Sequence, residues 1–463
     1  GSTFRLAKLA PCVGCADIGR LQMEIELINT GSELLLGRVL NTHQQWLGEK
    51  LADTGYTLTR QVTVPDTAEA ICEAVQVALG RSDLVITTGG LGPTSDDITR
   101  ERISEMLGKP LHRDESIAAQ IAGFFARRNR PMPESVLVQA QVPKGAQVFQ
   151  NENGTAPGLA MEVSEIGDAN ALAWLVMLPG PPRELRPMAE NQILPFVQKT
   201  FPLAEAFHCR TLRSMGIGES MVEDQLLERL RPLMDQGLDL GFCARTGQVD
   251  IRLCGHGDAM PDLIAEAEAM IRSEIGKTIY GTNEDSIAKV VVDELIAKRE
   301  TVAVAESCTG GFIGHHITGV PGASAVFLGG VLSYSNELKE KLLGVRSETL
   351  AAHGAVSKPV AMEMAEGVCA ATGADHALSV TGIAGPGGGT VEKPVGTVWL
   401  GLASKGREPL AIRKFHPYDR ETFKQASVNP ENNLVMDGDC KENLVLNELH
   451  VDILDYIQKS LKI

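Results

Sequence analysis

The chain has 463 residues, of which 43% are hydrophobic and 4% aromatic, and its formal net charge is -16. At roughly 150 residues per domain, this length predicts about three domains with mainly aliphatic cores. The negative charge argues against a non-specific nucleic-acid binder, which needs a basic surface, and no apolar run reaches the ~20 residues that cross a bilayer. The nine scattered cysteines are typical of a reducing compartment, so we expect a cytoplasmic protein.

Residues 1–22 are expected to lie outside the fold, as a non-native or leader segment, because "GS" resembles an expression scar and a natural start at Met23 would lead directly into the first strand; no long apolar core marks a secretory signal. From residue 23 to about residue 200, strand patterns alternate with amphipathic helix patterns. The first pair is the strand "IELINTG" and a helix with Asn41 or Thr42 near its N-cap. Such alternation predicts a parallel sheet with helices on its faces, and ligands of such sheets bind at the carboxyl ends of the strands.

The segment "TTGGLGPTSDDIT", residues 87–99, follows the buried strand pattern "DLVITT". Its glycines permit positive φ angles and let backbone N–H groups face an anion. They are Gly89, Gly90 and Gly92. Asp96 and Asp97 follow at once, and a carboxylate beside a phosphate loop usually holds a divalent cation or a ligand hydroxyl. The pattern favours a ligand site over the alternative, a tight turn.

A second strand end carries "VMLPGPPREL", residues 176–185, whose prolines and glycine predict a rigid corner. This corner can position Arg183 and Glu184. The alternative is a stiff turn before a helix, with Arg183 on the surface.

Together with "NTGSELLLGRVLNTHQQWL" (29–47) and "NENGTAPGLA" (151–160), these segments resemble the molybdopterin-binding fold in the version found at the N-terminus of CinA (competence/damage-inducible) proteins. The resemblance implies a three-layer α/β domain over residues 23–200. It also implies hydrolysis of ADP-ribose to AMP and ribose 5-phosphate with a divalent metal ion (Mg, Mn or Co), which neutralises the diphosphate and orients a water. The implied metal ligands are Asp96, Asp97 and Glu184, and the implied substrate-binding residues are Gly89, Gly90, Gly92, Thr99 and Glu33.

Residues 201–282 have a different texture, with strand-like and helical stretches that predict a small α+β module. This module resembles the KH-type module of the CinA family, and "GIGES" stands roughly where the KH loop would clamp a nucleic-acid backbone. Glu219 occupies a place where a basic residue would help, and the whole chain is acidic. We therefore expect a structural or dimerising spacer rather than nucleic-acid binding, and the family resemblance implies a homodimer.

A second α/β domain is predicted over residues 283–428, where "GTNEDS" with Ser286 caps the first helix. The strand and turn "AVAESCTGG", residues 303–311, follow this helix. Three potential nucleophiles, Ser307, Cys308 and Thr309, stand at this strand end. The N–H groups of residues 309–311 open the next helix and can bind an oxyanion or a phosphate. The alternative is an ordinary helix N-cap, for which Thr309 is the candidate.

A nucleophile needs a base. His315 and His316 lie too far along the helix, and His353 and His376 are expected to be structural or on the surface. Lys339 falls in the first turn of the helix after the strand "GGVLSYS". Burial there would lower its pKa from about 10.4 toward neutrality and make it a base; the alternative is a solvated helix lysine.

A third strand leads into "TGIAGPGGG", residues 381–389, which offers many backbone N–H groups and no side-chain bulk. A phosphate cradle requires both properties. The flanking strand patterns argue against the alternative, a flexible linker.

The segments "AESCTGG", "YSNELKEKLLGV", "TGIAGPGGG", "EKPVGTVW" and "YDRETFKQAS" resemble, in the same order, the CinA C-terminal domain, the nicotinamide mononucleotide (NMN) deamidase. The resemblance implies a cofactor-free Ser/Lys amidohydrolase with Ser307 as nucleophile, Lys339 as general base and Arg420 near the substrate. The implied pocket residues are Thr309, Gly310, Gly311, Tyr334, Asn336, Gly382, Gly385, Gly387 and Gly388. The whole chain would then be a bifunctional enzyme of pyridine-nucleotide recycling.

The sequence departs from the family after "FKQAS", and residues 429–463 form an atypical tail to which we assign no function. Two other interpretations remain open at this stage. The first domain could be a molybdenum-cofactor-binding module, or the chain could be a non-catalytic partner in competence or DNA repair.

Overall fold

The computed structural model describes residues 23–164, 172–245 and 247–428, so the expectations for residues 1–22 and 429–463 lie outside the described residues. The chain divides into two compact units, residues 1–207 and 208–463, which are described separately. Within the described ranges, no helix has both the length and the apolar character that a membrane span requires.

A mixed sheet with strand order β2-β1-β3-β8-β7-β6 forms the centre of the first unit. The strands of this unit are β1 (Ile25–Thr30), β2 (Leu58–Val64), β3 (Leu84–Thr88), β4 (Leu111–Arg113), β5 (Gln141–Pro143), β6 (Gln147–Phe149), β7 (Gly158–Val163) and β8 (Ala173–Leu178). The helices are α1 (Ser32–Leu35), α2 (His43–Asp53), α3 (Ala68–Leu79), α4 (Thr99–Met106), α5 (Glu115–Arg127), α6 (Pro182–Met188) and α7 (Leu194–Thr200). Strands β1, β2, β3 and β8 are parallel, whereas β7 and β6 are antiparallel to their neighbours.

Two apolar clusters cover the faces of this sheet, which makes the unit three-layered. Successive side chains of β1 point to opposite faces of the sheet. Ile28 packs on one face with residues of α3, α4 and α5. Leu27 packs on the other face with residues of α2, α6 and α7. Sequence periodicity therefore decides which helix covers which face.

The second unit begins with a small α+β module whose sheet has the order β10-β11-β9-β12. Its strands are β9 (Phe207–Met215), β10 (Asp239–Arg245), β11 (Gln248–His256) and β12 (Ile279–Thr282), and its helices are α8 (Glu219–Met234) and α9 (Met260–Ile275). Apolar side chains of α8 and α9, including Leu226, Leu230 and Ile271, pack with Ile251 of the sheet.

A second sheet, ordered β14-β13-β15-β16-β17, forms the rest of this unit. Its strands are β13 (Val302–Glu306), β14 (Phe327–Leu332), β15 (His376–Gly382), β16 (Thr397–Ser404) and β17 (Leu410–Phe415). The helices are α10 (Ile287–Lys298), α11 (Phe312–Thr318), α12 (Asn336–Leu343), α13 (Ser347–His353), α14 (Lys358–Thr372) and α15 (Arg420–Val428). One apolar cluster packs α12, α13 and α14 on one face, and another packs α10 and α11 on the other.

The predicted fold class is confirmed, but both large sheets are mixed rather than wholly parallel. β13 is parallel to β14 and β15, whereas β16 and β17 run antiparallel. The strands β15, β16 and β17 follow one another with no helix between them. A parallel neighbour needs a long crossover, so strands joined directly must pair antiparallel.

Candidate functional site

The nucleophile turn, residues 307–311, joins β13 to α11 at the carboxyl end of the central strands of the second unit. The backbone N–H of Ser307 donates to Val380 O of β15 at 3.0 Å, which fixes the start of the turn. Gly310 and Gly311 take φ angles of +65° and +99°, a region that favours glycine because it has no Cβ. The turn therefore holds the Ser307 side chain at the sheet edge, where it is buried.

Lys339 lies beside the nucleophile turn, because the first turn of α12 carries its side chain back under the end of β14. Its Nζ lies 3.1 Å from Ser307 Oγ, 2.7 Å from Ser333 O and 3.4 Å from Tyr334 O. The residue is 1% exposed. Lys339 is therefore a buried lysine that contacts a serine hydroxyl, and the alternative of a solvated helix lysine is wrong.

The environment of Lys339 favours the neutral amine. Desolvation lowers the pKa of its amine below the ordinary value, and the Cys308 thiol opposes this shift. A neutral amine has two N–H groups and one lone pair. It can donate to the carbonyls of Ser333 and Tyr334, and its lone pair can then accept the proton of Ser307 Oγ. After that transfer, the ammonium would still have an acceptor for each of its three protons.

Glu306 is a feature that the sequence interpretation missed. Its carboxylate is 1% exposed and accepts hydrogen bonds from the backbone N–H groups of Gly311 (2.9 Å), Ile313 (3.2 Å) and Gly314 (2.9 Å). Thr309 Oγ1 donates to the same carboxylate at 2.6 Å. Glu306 is thus a built-in anion at the N-terminal end of α11, where the helix dipole favours negative charge.

These contacts correct two expectations about the turn. Thr309 is not the N-cap of α11; Gly311 is. The N–H group of Gly311 faces Glu306, and that of Gly310 donates to Ser307 O at 3.2 Å, so these N–H groups are engaged within the protein rather than available to an oxyanion. The sequence did contain a signal for this arrangement. Glu306 directly precedes Ser307 and stands five residues before Gly311, the N-cap of α11.

Cys308 is buried in an apolar cluster with Val380, Ala384, Val398 and Phe423. Burial raises the pKa of its thiol to about 12. A thiol attacks as the thiolate, and this environment keeps Cys308 protonated. The structure thus makes Cys308 a small packed residue rather than an activated nucleophile.

Arg420, at the start of α15, connects two other parts of the predicted pocket. Its Nη1 donates to Gly385 O at 2.9 Å and its Nη2 donates to Tyr334 Oη at 3.0 Å. Arg420 and Tyr334 are both exposed, so their remaining polar atoms can reach a ligand. Asn336, Gly387 and Gly388 are exposed on the same two segments.

Gly382 differs from the other glycines of the "TGIAGPGGG" loop. A Cβ at this position would lie 2.9 Å from Phe423 Cζ and 3.0 Å from Thr397 O. Such distances are shorter than ordinary carbon contacts. Packing against Phe423 and Thr397 is therefore sufficient to explain the glycine at position 382, and no substrate contact is needed for that explanation.

In the first unit, the glycine loop, residues 89–92, follows β3. Gly89 and Gly90 have φ angles of +101° and +65°. A Cβ on Gly89 would lie 2.7 Å from Thr30 O, and a Cβ on Gly90 would collide with Thr99 Oγ1. Thr99 is completely buried, so it supports the loop from beneath.

Asp96 and Asp97 lie next to the glycine loop, and Thr94 links them. Thr94 Oγ1 is 2.5 Å from both Asp96 Oδ1 and Asp97 Oδ2, although its hydroxyl has only one proton to donate. The Thr94 hydrogen bond holds the pKa of Asp96 below its usual value. A Cβ on Gly92 would collide with the Asp97 carboxylate, which explains the glycine there.

Glu184 belongs to a different cluster. It is 9% exposed, accepts a hydrogen bond from Asn151 Nδ2 at 2.9 Å, and would collide with a Cβ on Gly154. Burial raises the pKa of its carboxyl group, against the effects of Asn151 and Arg183. Arg183 itself is largely exposed, as the stiff-turn alternative expected.

The described residues contain no group of three or more His, Cys, Asp or Glu side chains arranged to hold a metal ion. The predicted set of Asp96, Asp97 and Glu184 is therefore not a ready-made three-carboxylate site. Glu33 is exposed on α1, with its carboxylate against Gly31. Asp96 and Asp97 still offer two carboxylates around the Thr94 hydroxyl. Such a pair suits a cation that takes its other ligands from water and substrate phosphate.

Among the described residues, the histidines considered as bases, His315, His316 and His376, have partners other than Ser307. His315 and His316 are exposed and stack around Phe312, and His376 contacts Ser404 and Glu300. A histidine that the sequence interpretation overlooked, His43 of "NTHQQW", lies in the first unit with Nδ1 3.2 Å from Thr88 Oγ1. Its position directly after the N-cap of α2 was the available signal.

Comparisons with known proteins cover most of the chain. Residues 284–436 match the family described as CinA C-terminal domain, residues 26–199 match the probable molybdopterin binding domain, and residues 209–281 match the damage-inducible protein CinA KH domain. The chain is 44% identical over 404 residues to a CinA-like protein of Akkermansia muciniphila, covering 87% of this chain and 94% of that protein. It is 41% identical over 395 residues to a CinA-like protein of Kosmotoga olearia, covering 85% and 93%.

Similar solved structures include the competence/damage inducible protein CihA of Agrobacterium tumefaciens, at 38% identity and a TM-score of 0.31, covering 31% of this chain and 88% of that one. Another is the protein CinA of Thermoplasma acidophilum, described as a protein with unknown function, at 31% identity and a TM-score of 0.32, covering 39% of this chain and 98% of that one.

Proposed function

This chain belongs to the CinA family, and on that premise we propose that its second unit hydrolyses NMN to nicotinate mononucleotide and ammonia. The observation that carries the proposal is the buried contact of Lys339 Nζ with Ser307 Oγ at 3.1 Å. A serine needs a neighbouring base to attack an amide. A desolvated lysine amine with a lowered pKa is such a base.

The proposed reaction has two halves. Neutral Lys339 takes the proton of Ser307 as Oγ forms a bond to the nicotinamide carbonyl carbon. The C–N bond of the amide then breaks, and the Lys339 ammonium gives its proton to the leaving nitrogen, which departs as ammonia. In the second half, Lys339 takes a proton from a water as the water oxygen bonds to the acyl carbon. The bond between that carbon and Ser307 Oγ then breaks, Lys339 returns the proton to Oγ, and nicotinate mononucleotide leaves.

Substrate binding is assigned to the Arg420 side. Tyr334 Oη accepts a hydrogen bond from Arg420 Nη2, so its own proton can be donated to a substrate oxygen. The guanidinium retains donors beyond those used on Gly385 and Tyr334, and Arg pairs well with phosphate. We assign the phosphate of NMN to Arg420 and the exposed glycines, Gly387 and Gly388.

Ammonia release from NMN tests this proposal. We expect Ser307→Ala to lower kcat/KM by at least about 10⁴-fold and Lys339→Ala by about 10²- to 10⁴-fold. His315→Ala, in an exposed histidine eight residues from Ser307, is the matched control and should retain wild-type activity. No ammonia release by the wild-type protein, or full activity in both variants, would disprove the proposal.

For the first unit, we propose hydrolysis of ADP-ribose to AMP and ribose 5-phosphate. The supporting observation is the convergence of Asp96 and Asp97 on the single proton of Thr94, which leaves excess negative charge that a cation would neutralise. A divalent ion held by these two carboxylates would neutralise the diphosphate and supply a Lewis acid. Glu184, whose pKa is raised by burial, is proposed to move a proton rather than to bind the metal.

AMP formation from ADP-ribose tests this second activity. We expect it to require a divalent metal ion, to stop with a chelator, and to fall about 100-fold or more in Asp97→Asn. Asp114→Asn is the control, because Asp114 only caps α5. Tight binding of molybdopterin without ADP-ribose hydrolysis would instead support the cofactor-binding alternative.

A further inference from the structure

A chain of hydrogen bonds crosses the carboxyl ends of β1 and β3 in the first unit, outside the residues assigned above. Asn41 Nδ2 and Gln61 Nε2 each donate to Asn29 Oδ1 at 3.0 Å. Asn29 Nδ2 donates to Thr88 Oγ1 at 2.7 Å, and His43 Nδ1 lies 3.2 Å from the same hydroxyl oxygen. Asn29 is completely buried and Thr88 nearly so.

The direction of this chain favours one tautomer of His43. Because two amide groups donate into Asn29 Oδ1, its Nδ2 must be the group that donates to Thr88 Oγ1. The Thr88 hydroxyl keeps its own proton, which it can donate to His43 Nδ1. In that tautomer the ring proton resides on Nε2, and the backbone carbonyl of Gly180, which raises the pKa of the ring, is the acceptor beside it.

The surroundings of His43 disfavour a charged ring. Burial and the nearby Arg186 guanidinium of α6 hold the pKa of His43 below its ordinary value, against the Gly180 carbonyl. His43 is also the first residue of α2, and the N-terminal end of a helix disfavours positive charge. A neutral ring with one acceptor and one donor matches both partners.

These two partners belong to the two segments that build the proposed ADP-ribose site. Thr88 immediately precedes the glycine loop. Gly180 lies in the rigid corner of residues 176–185, here called the proline corner, which leads to Glu184. The segments are adjacent, since Gly89 N donates to Leu178 O at 3.0 Å. His43, from a third segment, therefore connects the loop to the corner.

We propose that His43 is a positioning residue of the first site, whose neutral imidazole fixes the glycine loop relative to the proline corner through Thr88 on one side and Gly180 on the other. The inference rests on the proposed ADP-ribose hydrolysis. His43 does not touch the reacting atoms in this assignment; it sets the distance between the glycine loop and Glu184. A small displacement of such groups is costly to a reaction rate.

Replacement of each half of the ring separately tests the proposal. His43→Asn keeps an acceptor for Thr88, His43→Gln keeps a donor for Gly180, and His43→Ala keeps neither. We expect kcat/KM for ADP-ribose to fall about 10- to 100-fold in His43→Ala and by less in the other two. The loss should appear in kcat more than in KM. His112→Ala, an exposed histidine of the same unit, is the control, and NMN deamidation should be unchanged throughout.

A double-mutant cycle with Thr88→Val sharpens the test, because His43→Ala should cost less once Thr88 cannot donate. In full-length wild-type protein, ¹⁵N NMR of the ring should show the Nε2–H tautomer, and amide exchange of residues 88–92 should quicken in His43→Ala. Wild-type kcat/KM in His43→Ala, an Nδ1–H tautomer, or unchanged exchange would each overturn the inference. If the wild-type protein does not hydrolyse ADP-ribose, the proposed function fails, whereas the tautomer and the exchange rates still test the positioning role.

Discussion

The glycine loop of the first unit and the nucleophile turn of the second both connect a buried parallel strand to a helix, but they place their carboxylates differently. In the first unit, Asp96 and Asp97 come after the glycines; Asp96 is exposed and Asp97 is half-buried. In the second, Glu306 comes before the turn and is 1% exposed. Its charge is neutralised by the N-terminal N–H groups of α11. One turn thus leaves negative charge near the surface, whereas the other buries it and places a hydroxyl beside an amine whose pKa is lowered by burial.

The comparison suggests why the two turns suit different chemistry. A metal-assisted hydrolysis needs exposed carboxylates. A Ser/Lys pair needs a lysine that stays neutral, and an exposed carboxylate beside Lys339 would instead favour its charged form. Pairing Glu306 with the helix allows the acid and the lysine to coexist close together in sequence and space.

The largest expected effect is the difference in stability loss between removing the buried carboxylate of Glu306 and removing the carboxylate of Asp97. Glu306→Ala leaves buried N–H donors of α11 and the Thr309 hydroxyl without an acceptor, so we expect a loss of about 3–5 kcal/mol in the free energy of unfolding. Asp97→Ala should cost about 1 kcal/mol, because its carboxylate is only half-buried and accepts its hydrogen bonds from the exposed Thr94. Urea unfolding followed by a probe in each unit would measure both. Equal costs would contradict the distinction between the turns.

A matched pair of glycines with the same φ angle of +65°, Gly90 and Gly310, compares the packing of the two turns. Gly90→Ala adds a collision with Thr99 to the backbone strain, so we expect a loss of about 2–4 kcal/mol. Gly310→Ala has nothing within 4 Å of the new Cβ, which leaves only the strain of about 1–2 kcal/mol. Thermal unfolding of both variants checks the difference. If Gly310→Ala were the more destabilising, the packing account of the glycine loop would be wrong.

The pH dependence of NMN deamidation should report Lys339. Because its folded-state pKa is lowered by desolvation, the amine becomes neutral, and so basic, at a lower pH than an ordinary lysine. We expect kcat/KM to rise about tenfold per pH unit below that pKa and to level off above it. The same burial makes folding less favourable wherever the unfolded lysine is charged and the folded one is not, so stability should rise with pH up to the ordinary lysine pKa. A rate that falls with rising pH through this window would exclude Lys339 as the base.

The smallest effect is expected at Cys308, the neighbour of the nucleophile. Cys308→Ala removes one small buried side chain and should leave deamidation within a few-fold of wild type, with a stability loss of about 1 kcal/mol. Thiol reagents should inhibit little, because burial raises the pKa of this thiol to about 12. Loss of activity in Cys308→Ala with retention in Ser307→Ala would reverse the assignment of the nucleophile.

The sequence predicted much of the framework. Strand and helix periodicity placed β1, α2, β3 and the Ser286-capped α10, and "ESCTGG" with "YSNELK" indicated the neighbours Ser307 and Lys339. It did not reveal the partner of Thr309, because hydroxyl and N–H groups at a helix start look alike whether they face a ligand or an internal carboxylate. The hairpins that mix the sheets were missed because apolar strand runs carry no signal of direction.

Long-range contacts account for the pairings that the sequence did not predict. Glu184 was grouped with Asp96 and Asp97 because all three follow strand ends, yet Asn151 and Gly154 draw it into a separate cluster. The role of Gly382 depends on Phe423, which lies on α15, distant in the chain. Such pairings are set by tertiary packing, and a single sequence does not contain them.

The position of Arg420 has a consequence for the order in which the two sites come into being during synthesis. Every residue assigned to the first site lies at or before position 186 in the chain. The pocket around Ser307, by contrast, lacks the link from Gly385 to Tyr334 until Arg420 has left the ribosome. At ordinary translation rates, the intervening residues take roughly 10–50 s to make. A nascent chain would therefore acquire the two proposed activities in succession, the one in the first unit before the one in the second.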